Sequence, residues 1–288
     1  MRLDARLTEL YSEYNRSKLQ QFIKAGAVQV NGKVIKKPSY PVEEDDVVIF
    51  DEPERPDFTA ERTELLNDVI YRDNNVLVIN KPTGVLVHAK GGIIAEYTVE
   101  DLVRELYNQD EAAAASQNNR LGIVHRLDRA TSGVIICALN NTTASKLSRQ
   151  FAERKTKKTY LAVTEKTPKD LEARINLPIG RNLSRPSTFK VDAKGKTAIT
   201  SYRVLKTFDD GKALVELHPH TGRTHQLRVH LNYIGCQIVG DPVYGTAKPG
   251  ERLMLHAWKL EITIPGETAG QRKTFVAEPP AEFKQYLD

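Results

Sequence analysis

The chain has 288 residues, 40% apolar and 27% charged, with a net charge of +5 and a pI of about 9.0; this globular mix leaves room for one large domain, or one large and one small, and permits an anionic partner. No apolar run approaches the roughly 18 residues of a membrane span, and the polar start Met1-Arg-Leu-Asp-Ala-Arg6 has no signal core. Cys137 and Cys236 sit in apolar contexts as reduced core residues, so a cytoplasmic protein with no membrane partner is expected.

Leu3, Leu7, Leu10 and Tyr14 recur at three- and four-residue steps and predict a helix. Ser17-x-x-Gln20 has the form of a capping box opening a second helix from Lys18 to Ala25, with Gly26 placed to end it. Val28 to Val30 and Lys33 to Ile35 flank Asn31-Gly32, the pair that most favours a tight hairpin turn, and Val47 to Phe50 reads as a closing strand. Residues 1–41 hold eight Lys or Arg against three acids. Arg16, Lys18 and Lys24 are the candidates there for gripping an RNA backbone, although a solvated helix face carries the same charges.

Residues 51–64, charged and with two prolines, read as a linker between a domain over 1–50 and a second domain over 65–288. The second domain opens with strands over Val69–Asp73 and Val76–Ile79, then a turn, Lys81-Pro82-Thr83-Gly84. Thr98 to Tyr107 places Val99, Leu102, Val103 and Leu106 at helical spacing. Asn108 to Asn119, with four consecutive alanines, reads as a mobile loop or frayed helix.

Next, Gly122 to Gly133 puts one carboxylate, Asp128, between Arg126 and Arg129, ahead of the apolar run Val134 to Leu139. A charged loop feeding a buried strand holds a side chain rigidly at a sheet edge. An acid between cations is ionised there and fit to act as nucleophile or base, although a surface ion pair is the commoner meaning of this residue pattern. Between 119 and 160, nine Lys or Arg stand against two acids, as a phosphate-binding surface requires. Thr142 to Phe151 predicts a helix, and Lys157 to Val163 a strand carrying Tyr160, a position where tyrosine usually serves packing.

Gly211 to Leu217 is another predicted strand, followed by a dense motif through Leu231 that holds Arg223. His220, His225 and His230 recur within it at five-residue steps, which suit neither a helical ligand pair nor a zinc finger, so no metal is expected. Gly240 to Gly245 is a turn, Leu255–Ala257 and Lys259–Ile264 are strands, and a short helix follows Pro279-Pro280. No nucleotide-binding glycine loop follows a strand, and no cofactor is expected.

His125-Arg126-Leu127-Asp128 with Thr131-Ser132-Gly133 resembles the catalytic signature of the RluA-type RNA pseudouridine synthases. Lys81-Pro82-x-Gly84, Lys158-x-Tyr160, Thr221-Gly-Arg-Thr-His-Gln-Leu-Arg228 and Gly240-Asp-Pro-Val-Tyr-Gly245 resemble further elements of that family in order. Leu3-Asp4, Arg16-Ser17-Lys18, Ile23 and Gly26-x-Val28-x-Val30-Asn31-Gly32 resemble the S4 RNA-binding module. Asp45-Asp46, Leu121 and Ala130 depart from the usual residues, affecting a turn and the flanks of Asp128.

The resemblance implies an α+β fold. A mixed, mainly antiparallel sheet with a central RNA-binding cleft would follow a small S4-like α+β domain. It implies isomerisation of uridine to pseudouridine without a cofactor, with Asp128 essential. Tyr160 would lie against the extruded base, with a looser role as acceptor of the C5 proton. Arg223 would pair with Asp128, and Arg126 and Arg129 would meet the RNA, Arg126 filling the space left by the flipped uridine. The implied substrate is large-subunit (23S) rRNA, with tRNA open and the oligomeric state unspecified. Two other readings compete: a non-catalytic rRNA-binding assembly factor, and a nucleoside hydrolase or glycosylase.

Overall fold

A computed structural model describes residues 1–52, 56–89, 96–107, 121–266 and 270–288. The chain divides into two compact units: Met1–Glu61 with His88–Thr98, and Arg62–Val87 with Val99–Asp288. The loop or helix expected over 108–119 lies outside the described residues, as do residues 53–55 of the expected linker. The rest of that linker is not all extended, because helix α3 (Thr59–Asn67) starts inside it.

In the first unit, helices α1 (Leu3–Leu10) and α2 (Arg16–Ala25) precede a three-stranded antiparallel sheet of β1 (Val28–Val30), β2 (Lys33–Val34) and β3 (Val48–Phe50), in the order β2-β1-β3. Asn31 and Gly32 have φ of +47° and +76°, the backbone a tight hairpin turn demands. Leu3, Leu7, Leu19, Phe22, Ile23, Val28, Val30 and Val42 form its core. The cap of α2 differs from the capping box expected at Ser17. Asn15 accepts from the Lys18 amide at 2.9 Å, and Gln20 instead donates to the buried Asp4. That carboxylate also takes both Arg2 and Arg16, so Arg16 is engaged inside its own unit.

The second unit is built on a nine-stranded sheet. Its path runs β4 (Val69–Arg72), β5 (Val76–Lys81), β6 (Ser132–Ala138), β13 (Leu255–Ile264), β7 (Lys157–Thr164), β12 (Ala213–Pro219), β11 (Ile199–Thr207) and β8 (Glu172–Asn176), with β14 (Gln271–Val276) paired to β13. β6 and β13 run parallel and the other paired neighbours antiparallel, so the expected mixed, mainly antiparallel sheet is present. Every residue of β6 is buried, as an unbroken apolar run requires. β9 (Ile179–Arg181) and β10 (Phe189–Val191) form a separate ribbon. Helices α4 (Val99–Leu106), α5 (Asn141–Ala152), α6 (Gln226–Tyr233) and α7 (Lys284–Leu287) complete the unit. Among the described residues, no helix is long and apolar enough to cross a membrane.

Where β6 meets β13, Gly133 has φ of +115°. A Cβ there would collide with the Ala257 backbone, so only glycine lets the two strands approach at the end of the Asp128 loop. Leu161, Val163, Val215, Leu217, Leu231 and Leu255 are among the residues of a buried apolar core in this unit.

Candidate active site

The loop carrying Asp128 is fixed from three sides. On one, Lys81 at the end of β5 is fully buried, and its ammonium donates to the carbonyls of Pro82 (2.8 Å), Val85 (2.9 Å) and Arg129 (3.3 Å). The same turn donates from the Gly84 amide to Arg129 O at 2.9 Å and from Thr83 to Ala130 O at 2.9 Å. Burial pulls the Lys81 pKa down to about 7, against the opposing charge of Asp128.

On the second side, the His125 ring stacks on Phe151 of α5 with centroids 4.5 Å apart, and its Nε2 accepts from the Ile136 amide of β6 at 3.0 Å. Desolvation and then the charge of Lys158 lower this imidazole to about 3, so it is a neutral acceptor. On the third, Arg252 donates to Ser132 Oγ, which bonds His256 Nδ1, whose Nε2 donates to Ala277 O.

The partners of Asp128 come from the motif after β12. Arg228 Nη1 lies 3.6 Å and His225 Nε2 3.8 Å from Asp128 Oδ2. Both residues lie at the start of α6, His225 as the residue that caps it and Arg228 within its first turn. His225 has the left-handed φ of +56° that turns the chain into this helix. Its Nδ1 lies 2.8 Å from the Tyr244 hydroxyl, which accepts the Phe189 amide at 2.9 Å. When the Tyr244 hydroxyl donates to Nδ1, the ring proton sits on Nε2, facing the carboxylate.

Arg228 is 4% exposed and makes two bonds to Asp241, at 2.8 and 2.7 Å. Burial pushes the Asp241 carboxyl up; Arg228 and the Val243 and Tyr244 amides more than reverse this, leaving it below its ordinary value. The Gly240–Gly245 turn is therefore the clamp that holds Arg228 toward Asp128.

Arg223, expected to pair with Asp128, does not. Its Nε donates to Thr197 O at 3.0 Å, and Arg228 occupies the place beside the carboxylate. The reason is geometric: Arg223 precedes the helix, whereas Arg228 lies in its first turn. Gln226 fixes the turn between them, accepting from Thr221 and the Arg223 amide and donating to Ile199 O and Thr200. The three motif histidines take separate roles, His220 on Ser201, His225 on Tyr244, and His230 on Thr200 and Leu177 O.

These groups surround a cavity of about 560 Å³. Asp128 is the one carboxylate in its lining among the described residues, against Arg126, Arg154, Lys158, Arg223 and Arg228. Tyr160, on β7, lines it too. Burial first and then Asp128 push its phenol well above the usual range, so it stays protonated. Arg126 reaches the lining, whereas Arg129 contributes its carbonyl to the Lys81 turn and is absent from the lining. Of the candidates in the first unit, Lys18 lies over the rings of Tyr14 and Phe22, and Lys24 is exposed.

Residues 75–233 match the family of RNA pseudouridylate synthases, and residues 1–48 match the S4 domain. An uncharacterized RNA pseudouridine synthase of Aquifex aeolicus is 37% identical over 295 residues, spanning 98% of this chain and 92% of that one. Ribosomal large subunit pseudouridine synthase D of Borreliella burgdorferi is 36% identical over 297 residues, spanning 100% and 89%. The solved structure of Human RNA Pseudouridylate Synthase Domain Containing 4 aligns with a TM-score of 0.61 at 26% identity, covering 79% of this chain and 94% of that one.

Proposed function

The chain belongs to the RNA pseudouridine synthase family of isomerases, and on that premise we propose that it converts uridines of large-subunit (23S) rRNA to pseudouridine, with Asp128 as the essential carboxylate. The observation that carries this reading is the single acid in a cleft of five cations, braced by Arg228 and His225. A carboxylate repels phosphate, so a surface that only bound RNA would do better without it. The synthase D names among the relatives favour rRNA over tRNA. On this reading the S4 domain over 1–50 grips RNA through Lys18 and Lys24, with Arg16 bracing its fold. Residues 51–64 connect it to a catalytic domain over 65–288, and the work is cytoplasmic.

The target uridine is extruded into the cleft, which costs a few kcal/mol. Neutral Tyr160 gives its base an apolar platform, and Arg126 at the lining meets the strand it leaves. Asp128 then bonds C1′, or takes the C2′ proton to give a glycal, as the N1–C1′ bond breaks and its electron pair leaves with uracil. Arg228 and Arg223 line the cavity that receives this anion. The base turns, C5 bonds C1′ with release of Asp128 or return of its proton, C5 loses its proton, and N1 gains one. The test is release of tritium from RNA labelled at uracil C5, wild type against Asp128→Ala. Release by wild type alone is expected. Equal release by both proteins overturns the role of Asp128, and no release from any RNA pool overturns the activity.

A further inference from the structure

The basic segment around the end of α5 divides into two kinds of cation. Of those outside the cleft lining, Arg149 and Lys155 pair with Glu153 and Lys157 pairs with Glu261, whereas Lys146, farther up the helix, has no ion pair among the described residues. The two that line the cleft, Arg154 and Lys158, have no ion pair among the described residues. Alternation along β7 explains the contrast at 157 and 158, since successive strand side chains point to opposite faces. Lys158 is half-buried, and desolvation lowers its pKa. Desolvation lowers His125 first, and the Lys158 charge adds to it.

Arg154 has a second peculiarity. It follows α5 in the left-handed conformation, with φ of +57°. Its amide and that of Lys155 close the helix end on Phe151 O and Gln150 O. Glycine is the unstrained residue for such a helix stop. Arginine there strains the backbone and stands in the lining of the cleft, which also includes Ser148 and Thr156. Two side chains that each work against the stability of the fold, four residues apart in the chain and both in the lining of one cavity, mark a site completed by an anion.

We propose that Arg154 and Lys158 form an anion subsite that takes one phosphodiester of the RNA strand lying in the cleft. The proposal rests on the RNA substrate read above and assigns the wall on which that strand is held.

The test uses full-length Arg154→Gly and Lys158→Met, with Lys284→Met as a charge control on the C-terminal helix. The probe is a large-subunit rRNA transcript, bound at salt concentrations from about 50 to about 200 mM. Each cleft variant is expected to bind about five- to tenfold more weakly at the low-salt end. Each should also flatten the dependence of log affinity on log salt by about 0.7 to 0.9. The melting temperature is expected to hold or rise, because Arg154→Gly relieves the backbone and Lys158→Met keeps an apolar stem without the charge. A residue serving only the fold would do the opposite, lowering the melting temperature and leaving the salt slope alone. Slopes that match the wild type in both variants overturn the subsite. Tritium release by the wild type is scored separately. A silent wild type with altered slopes overturns the isomerase reading alone, and an active wild type with unaltered slopes overturns the subsite alone.

Discussion

Replacing Arg228 by Met separates two things that this side chain does. Asp241 is 1% exposed, and the substitution leaves its carboxylate buried without its cation. Breaking such a pair costs about 3–5 kcal/mol, or roughly 6–20 °C of melting temperature for a unit of this size. Asp128 also loses a charge at 3.6 Å. At an effective dielectric constant of about 20 that attraction is about 4–5 kcal/mol, and solvent at the partly exposed Asp128 cuts it to roughly 2 kcal/mol. If that energy is lost in the transition state, turnover falls about 30-fold. Adding Asp241→Asn removes the orphaned charge, so Arg228→Met/Asp241→Asn should recover most of the stability and none of the turnover. Circular-dichroism melting and C5 tritium release report the two quantities separately. Recovery of turnover together with stability would refute the direct action of Arg228 on Asp128. A 30-fold loss in Arg223→Met, with none in the double variant, would return the role to Arg223.

Tyr244→Phe frees His225 to adopt the other tautomer; turnover should fall about tenfold, the scale of one lost orienting bond, while RNA affinity holds. A matching fall in affinity would argue against that role. Gly133→Ala should destabilise by more than about 3 kcal/mol, because the strand crossing has no room for a Cβ and φ is left-handed; a soluble variant with an unchanged melting temperature would contradict it. His125 and His256 are held near 3 and 4 by desolvation, below the ordinary imidazole value. The unfolded chain takes up protons at both as pH falls below about 6.5, and the folded chain does not. Stability is therefore intact above that pH and should drop by about 4 kcal/mol on going to pH 5; a flat melting temperature between pH 7 and pH 5 would show that these rings are solvated.

Much of this was legible in the residues. Asn31-Gly32 specifies its turn by backbone sterics alone, and the apolar run from Val134 after a charged loop announces a site at a strand end. What failed was long-range or three-dimensional. Ser17 and Asn15 are both good caps, and Gln20, needed for the box at Ser17, is taken by Asp4. β8, β11 and β14 mix polar and apolar residues, and their pairing is set by partners far along the chain. Arg223 and Arg228 are equivalent as composition. Only the left-handed turn at His225 decides which one meets Asp128, and a left-handed histidine leaves no trace in the sequence.

The position of β13 bears on the order in which the protein is made. This strand lies at the middle of the sheet, between β6 and β7, yet it is translated after both. Ser132 waits for His256, 124 residues later, before its hydrogen-bond chain can close. A nascent chain short of residue 255 therefore exposes the facing edges of two buried strands, with the Asp128 loop unsupported along one side. Premature termination before β13 would yield a sticky fragment in which the Asp128 loop lacks this support.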